Sequence, residues 1–337
     1  MAFLNLEKPR RIVPGFGSPT AKIAIVGEAP GSYEDMQLKP FVGPAGTVLE
    51  QCLHAAGLIR SEVYMTNTVK VKPPGNDIAP YYSTTRGTFT AAGMEWVGLL
   101  REELNAHQCN VIVACGATAA AACAGVSRIT KYRGYVFPSI ELDRERIVIP
   151  TIHPAAAMRG MYIYRHLIAA DLKKAKALSN EKNLVRPERQ LVTEFGSVEE
   201  VLEWLEYYKS RPIVSVDIEV LNYELSCIAL SSDPKIAVSI PIAHGWTEME
   251  EIQIFRGLQS VLSSPSVKVF QNGVFDIHFL LTRCGLTVSG PIEDTMIGHH
   301  IMYPELQKGL AFLGSIYCGT QAYWKDSVKF NDIKEES

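Results

Sequence analysis

The chain has 337 residues, 47% hydrophobic and 20% charged, which suits a globular protein of two domains and excludes a disordered or fibrous one. No run of eighteen apolar residues and no apolar leader occurs, so neither a membrane span nor a secretory signal is expected. The net charge of −3 conceals a split: residues 1–190 hold 23 Lys and Arg against 16 Asp and Glu, and residues 191–337 hold 10 against 20. A basic first half points to a polyanionic partner, and an acidic second half to carboxylates that gather metal ions.

In chain order, residues 1–20 carry three prolines and two glycines and read as an extended lead-in. Ile23–Gly27 is a continuous apolar run, the mark of a strand buried on both faces of a parallel sheet. It enters Gly27-Glu28-Ala29-Pro30-Gly31, a turn that holds a carboxylate at the strand's carboxyl end, where open α/β sheets bind ligands. The motif is not a phosphate loop, since Gly-x-x-x-x-Gly-Lys-Ser/Thr is absent. Apolar residues at helical spacing predict a helix over 47–56. A strand is predicted at 63–69, a helix at 93–106, a strand at 111–115 and an Ala-rich helix after Gly116. A fourth strand covers 146–150, His153-Pro154 lies just past it, and a helix carrying Arg159 and Arg165 runs to about Lys176. Strands alternating with helices predict a three-layer α/β/α domain with a parallel sheet over 1–176. Residues 177–190 are polar and read as a linker.

The second domain is expected over 191–337. Ser197-Val198-Glu199-Glu200 reads as a capping box for a helix to about Lys209. Strands follow at 213–217, 227–230 and 237–241, then a helix over 249–262, a strand at 267–270 and a helix beginning near Asp276. Three antiparallel strands followed by helix and strand predict a mixed sheet. The seven cysteines are scattered without a C-x-x-C pair, which suggests reduced core thiols and a cytoplasmic protein.

Four strand ends or loops of the first half bear Glu28, Phe41, Asn67 and His153, and a parallel sheet places such ends on one edge. Their chemistry suits a nucleobase. A phenyl ring stacks on a flipped base, and an asparagine amide matches the donor and acceptor pattern of uracil while opposing that of cytosine. A histidine can donate to O2 as charge builds on the leaving base. A carboxylate can position water, with Glu28 the first choice and Asp35 the second.

These residues lie in motifs that resemble those of family 4 uracil-DNA glycosylases. They are Gly27–Gly31 with Glu34-Asp35, Pro40-Phe41-Val42-Gly43-Pro44-Ala45-Gly46, Tyr64–Lys70, Pro73-Pro74-Gly75-Asn76 and His153-Pro154. The resemblance covers 20–175. It implies that Phe41 stacks uracil, Asn67 reads its edge, His153 contacts O2 and Glu28 handles water. Gly27, Ala29, Pro30 and Gly31 form the wall, and the segment to Arg159 meets DNA where the base leaves. The family usually holds an iron–sulfur cluster on four cysteines, two in an N-terminal C-x-x-C, one after the asparagine strand and one in the next helix. Here the pair is missing, Val71 stands at the third position, and no cysteine occurs between Cys52 and Cys109. No iron–sulfur cluster is expected.

In the second half, Asp217-Ile218-Glu219 alternates at strand spacing, which points both carboxylates to one face. Such a pair repels unless cations neutralise it, and Mg²⁺ or Mn²⁺ suits its hard oxygens. Asp276 can complete a metal set. With Asn272-Gly273-Val274-Phe275-Asp276 the pattern resembles the first two motifs of the 3′–5′ exonuclease domain of family A DNA polymerases, a ribonuclease H-like fold. By that resemblance Asp217, Glu219 and Asp276 are metal ligands, while Asp294 reads as a helix cap. The family's third motif, Tyr-x-x-x-Asp, is not met, because Gln307, Gln321 and Ser327 follow Tyr303, Tyr317 and Tyr323 at that spacing. The chain stops about where that motif is expected, which implies the front of a longer or split polymerase.

The combination resembles the N-terminal part of some bacteriophage DNA polymerases. It implies a DNA-processing protein that joins uracil excision to two-metal 3′–5′ exonuclease activity, acting on uracil-containing DNA or a single-stranded 3′ end. The alternative is a non-catalytic DNA-binding accessory piece that works with a separate polymerase chain.

Overall fold

A computed structural model describes residues 11–158, 161–242 and 245–319. The chain divides into two compact units, one of residues up to Arg186 together with the segment from Ala311, the other Pro187–Leu310.

The first unit is built on a six-stranded sheet. Its four inner strands run parallel in the order Val63–Asn67, Ile23–Gly27, Val111–Cys115, Ile147–Thr151, and Phe16–Gly17 and Phe137–Pro138 add antiparallel edges. All residues of the inner strands are buried, as continuous apolar runs sandwiched between helices require. The chain leaves Ile23–Gly27 first to one side and later to the other, so a switch point lies at that strand's carboxyl end. Glu28, Asn67, Gly116 and His153 all emerge from this edge.

Two boundaries differ from the sequence expectation. The first long helix is Pro44–Ala55 and starts three residues early, because Pro44 occupies the first helical position, where its missing N–H costs nothing. Strand pairing ends at Asn67, yet the amides of Thr68 and Val69 still donate to Gly27 and Glu28 carbonyls at 2.9 Å each. The second turn is thereby fastened to the first.

The second unit carries a six-stranded mixed sheet in the order Ile292–Asp294, Val267–Phe270, Ile213–Leu221, Glu224–Ser231, Ile236–Pro241, Gln190–Val192. Its central hairpin turns through Asn222 and Tyr223, with φ of 51° and 65°, values that match a tight two-residue turn. Helices Val198–Lys209 and Glu248–Leu262 cover one face through Val201, Leu205, Ile254 and Leu258. Ser197 stands at the N-cap without a side-chain cap bond, and Glu200 instead accepts from the Gly196 amide at 2.8 Å. The reciprocal capping box forms at Thr247 and Glu250.

By its contacts the segment from Ala311 clusters with the first unit. Buried Arg133 pairs with Asp171 and donates to Ser315 Oγ at 3.0 Å, while Lys174 Nζ donates to the Ser315 and Cys318 carbonyls at 2.7 and 3.0 Å. Lys174 thereby satisfies carbonyls at the end of helix Leu310–Tyr317, where backbone acceptors lack partners. No helix among the described residues is long and apolar enough to cross a membrane.

Candidate active sites

The switch-point edge of the first unit opens into a cleft of about 890 Å³. Glu28, Ala29, Gly31, Phe41, Asn67 and His153 all line it. Buried Phe41 sits at φ 53°, a left-handed conformation that costs a phenylalanine on the order of 1 kcal/mol. Its carbonyl and that of Pro40 are gripped by the Arg60 guanidinium at 2.9 and 2.7 Å. That grip turns the ring over Gly27, where a Cβ would stand 2.7 Å from Phe41 Cζ and 2.3 Å from Asn67 Oδ1. Gly27 therefore lets the Phe41 ring and the Asn67 amide approach the strand backbone.

Glu28 Oε2 accepts from Thr118 Oγ1 at 2.6 Å, so the second residue of helix Ala117–Ala124 orients the carboxylate. His153 lies across from Phe41, ring centroids 6.3 Å apart and 28° from parallel. Its Nδ1 accepts from the Ala155 amide at 3.2 Å, which places the proton of the neutral ring on Nε2. Gly116, at φ +90°, packs beneath it, where a Cβ would lie 3.2 Å from His153 Cβ. Pro30 is buried behind the wall. Asp35 is half-buried and does not line the cleft. Glu34 lines it instead and ties two loops together by accepting from the Gly31 and Gly43 amides at 3.1 and 3.2 Å. Arg159 lies outside the described residues. Thr118 and Arg60 escaped the sequence reading, and Glu34 stood in the motif without a role, because each acts through a partner that only the fold supplies.

In the second unit, strand Ile213–Leu221 alternates exposed and buried residues as far as Glu219, with Asp217 and Glu219 on the exposed side. The strand was expected to end at Asp217. It continues four residues further and shifts register between Glu219 and Val220, an irregularity that re-aims neighbouring side chains. Asp276, 7% exposed, lies in the first turn of helix Val274–Cys284 and accepts from the Ile218 amide at 3.3 Å. That bond stitches the helix start to the strand between the two other acids. Burial pushes the Asp217 carboxyl up, and the Asp276 and Glu219 charges push it further. Asp276 is also pushed up, by burial first, against its backbone bonds and with the charges of Asp294 and Glu219.

Asp294 differs. It caps helix Thr295–Met302 by accepting from Met296 and Ile297, and it also accepts from Gly273 at 2.7 Å and Asn272 at 3.2 Å. Burial raises this carboxyl, but the four amides outweigh it and hold it low. Asn272, at φ 62°, is thereby locked in the turn that aims Asp276.

Residues 14–175 match the uracil DNA glycosylase superfamily. A type-4 uracil-DNA glycosylase of Sulfurisphaera tokodaii is 34% identical over 189 residues, covering 54% of this chain and 79% of that protein. The chain belongs to the uracil-DNA glycosylase superfamily. Joined to this glycosylase-like domain is a second one, since residues 194–333 match the 3′–5′ exonuclease family of the DNA polymerase A type. A DNA polymerase of Bacillus phage SP01 is 25% identical over 322 residues, covering 86% of this chain and 33% of that polymerase. The chain thus spans about a third of the polymerase it resembles across both domains. Among solved structures, Escherichia coli RNase D superposes with a TM-score of 0.32 at 20% identity, over 42% of this chain and 36% of that one.

The iron–sulfur cluster usual in family 4 glycosylases does not fit the residues of this glycosylase-like domain. Val71 is buried with Val69, Ile78, Tyr81 and Tyr82, and Trp96 packs against them. Helix Ala91–Ala106, the next helix, contains no cysteine. Apolar side chains hold together the region where thiolates are needed. In the exonuclease-like domain Asp217, Glu219 and Asp276 are hard-oxygen donors of the kind divalent cations take. Among the described residues no three such side chains are already drawn together, and the like charges of this group raise the Asp217 and Asp276 carboxyls.

Proposed function

We propose that the glycosylase-like domain excises uracil from DNA and that the exonuclease-like domain hydrolyses a single-stranded 3′ end with divalent cations. The observation that carries the first half is the convergence of Phe41, Asn67, His153 and the Thr118-oriented Glu28 in one cleft. Phe41 stacks the flipped base and Asn67 pairs with its N3–H and O4. The C1′–N1 bond breaks and its electron pair leaves with the uracil. Charge gathering on O2 is met by the His153 Nε2–H. Glu28 stabilises the cationic sugar and takes the proton of the water that adds to C1′. In the second domain Asp217, Glu219 and Asp276 would hold the cation. When bound, a pair of such ions activates water and stabilises the leaving oxygen of the phosphodiester.

Two assays test this reading. A uracil-containing oligonucleotide should yield abasic sites, and Asn67→Ala should abolish them. A 5′-labelled single strand with Mg²⁺ should shorten from its 3′ end, and Asp217→Ala should abolish that. No product in either assay leaves the second reading, a DNA-binding accessory piece serving a separate polymerase chain.

A further inference from the structure

We propose that a second cleft, adjoining the uracil cleft, takes the neighbouring nucleotide of the same strand, its base on Tyr162 and its phosphate at Arg165. The proposal rests on the reading of the first cleft as a base site. The second cleft has a volume of about 540 Å³ and shares Tyr33, Gly43, Pro44 and Met158 with the first. Because the two clefts share a wall and consecutive nucleotides are covalently joined, a strand with its base in the first has the adjoining nucleotide within reach of the second.

Its chemistry fits a nucleotide. Among the described residues Arg165 is its one charged lining residue and no carboxylate lines it. The guanidinium lies 5.3 Å from the Tyr162 ring centroid, a cation–π spacing that holds the ring in place. Tyr162 nonetheless remains 66% exposed, an unusual cost for an aromatic ring that stacks on nothing in the chain beyond this cation. Arg165 is half-buried, and its Nη1 donates to Gln51 Oε1 at 2.9 Å in an exposed setting. A guanidinium that keeps this end toward solvent offers its outer N–H donors to a phosphate oxygen. Sequence-tolerant stacking combined with a cation on the backbone is how proteins hold single strands.

The test uses the full chain and a short single-stranded oligodeoxynucleotide with 2-aminopurine beside a central 2′-fluoro-deoxyuridine, whose fluorine blocks cleavage. A matched strand carries thymidine instead. On binding, 2-aminopurine on one side of the uracil should be quenched by stacking, and Tyr162→Ala should remove the quench. Arg165→Gln should weaken binding about tenfold and lower the salt slope by about one phosphate contact, roughly 0.7 in log–log units. Arg165→Lys should keep that slope. Thr47→Glu, at an exposed lining position, should repel the phosphate and weaken binding without touching the core. Wild-type affinity, slope and quench in Tyr162→Ala, Arg165→Gln and Thr47→Glu would overturn the proposal. Equal affinity for the uracil and thymidine strands, with the quench and slope effects intact, would sink the uracil reading and support this second site.

Discussion

Gly27→Ala is the sharpest test of the glycosylase-like cleft, because the backbone at Gly27 tolerates a side chain and only the space forbids it. Its φ is not positive, so alanine adds no backbone strain. The new methyl would lie 2.3 Å from Asn67 Oδ1 and 2.7 Å from Phe41 Cζ, where ordinary contact begins near 3.4 Å. The amide must therefore retreat by about 1 Å and the ring tip by about 0.7 Å, as overpacking forces on a close-packed site. Phe41 cannot slide away freely, since Arg60 holds its carbonyl. Misplacement of about 1 Å costs roughly a hundredfold in rate, and the overpacking costs about 1–3 kcal/mol of stability. Single-turnover excision from a uracil-containing strand should fall by about that factor, and the melting temperature of the first unit should drop. Gly98→Ala is the control, with nothing within 4 Å of its Cβ, and it should change neither rate nor binding. A Gly27→Ala rate within about threefold of wild type, far less than a 1 Å misplacement should cost, would refute the claim that the ring and amide are held in register over this glycine.

Three further outcomes follow from the same geometry. Thr118→Val removes the hydroxyl donor to Glu28 and should slow excision about 10- to 100-fold, as loss of a hydrogen bond to a charged group does, while titration with free uracil shows unchanged affinity. Asp294→Ala removes the acceptor of four amides and should cost the second unit about 1–2 kcal/mol in urea unfolding. Because Asp294 is held low in the folded state, its contribution is present above the unfolded carboxylate value and lost as pH falls through the lower folded one. Asp217 has the opposite sign: its folded value is raised, so its ionised form weakens the fold as pH rises through that value. Asp217→Asn should accordingly raise the melting temperature in chelator at neutral pH, and the gain should fade on acidification. A neutral-pH destabilisation by Asp217→Asn would contradict the repulsion argument.

Much of the fold was legible in the sequence because burial leaves a periodic trace. The four inner strands of the first unit are apolar on both faces, and the alternation of Asp217, Ile218 and Glu219 announced a strand with one wet side. The cleft residues at the sheet edge were legible because topology alone brings strand ends together. Contacts that depend on three-dimensional packing left no such trace. Thr118 stands ninety residues from Glu28, and Arg60 reaches back to the carbonyl of Phe41 across a helix. The capping box was expected at Ser197 and formed at Thr247, since Ser197-x-x-Glu200 and Thr247-x-x-Glu250 look alike as strings. At Ser197 the preceding Gly196 amide took the glutamate. The contacts of the Ala311 segment with the first unit run through Arg133, which donates to the Ser315 hydroxyl, and Lys174, which donates to backbone carbonyls that any sequence supplies.

The treatment of Asp294 and Asp217 separates structural acids from those suited to chemistry. Both lie in the second unit near Asp276. Asp294 accepts from four amides, so the fold already satisfies its charge, and a cation would have to displace those bonds to use it. Partial desolvation and the like charges of Asp276 and Glu219 raise the Asp217 carboxyl, so any positive charge that arrives relieves a standing repulsion. A carboxylate saturated by the backbone positions its neighbours, and one left repelling waits for a counter-charge. On that ground Asp294 is a positioning residue, fixing the Asn272-Gly273 turn so that Asp276 meets the strand between Asp217 and Glu219. The second unit thus holds like charges near one another, whereas the carboxylates lining the cleft of the first unit, Glu28 and Glu34, each accept hydrogen bonds from the fold.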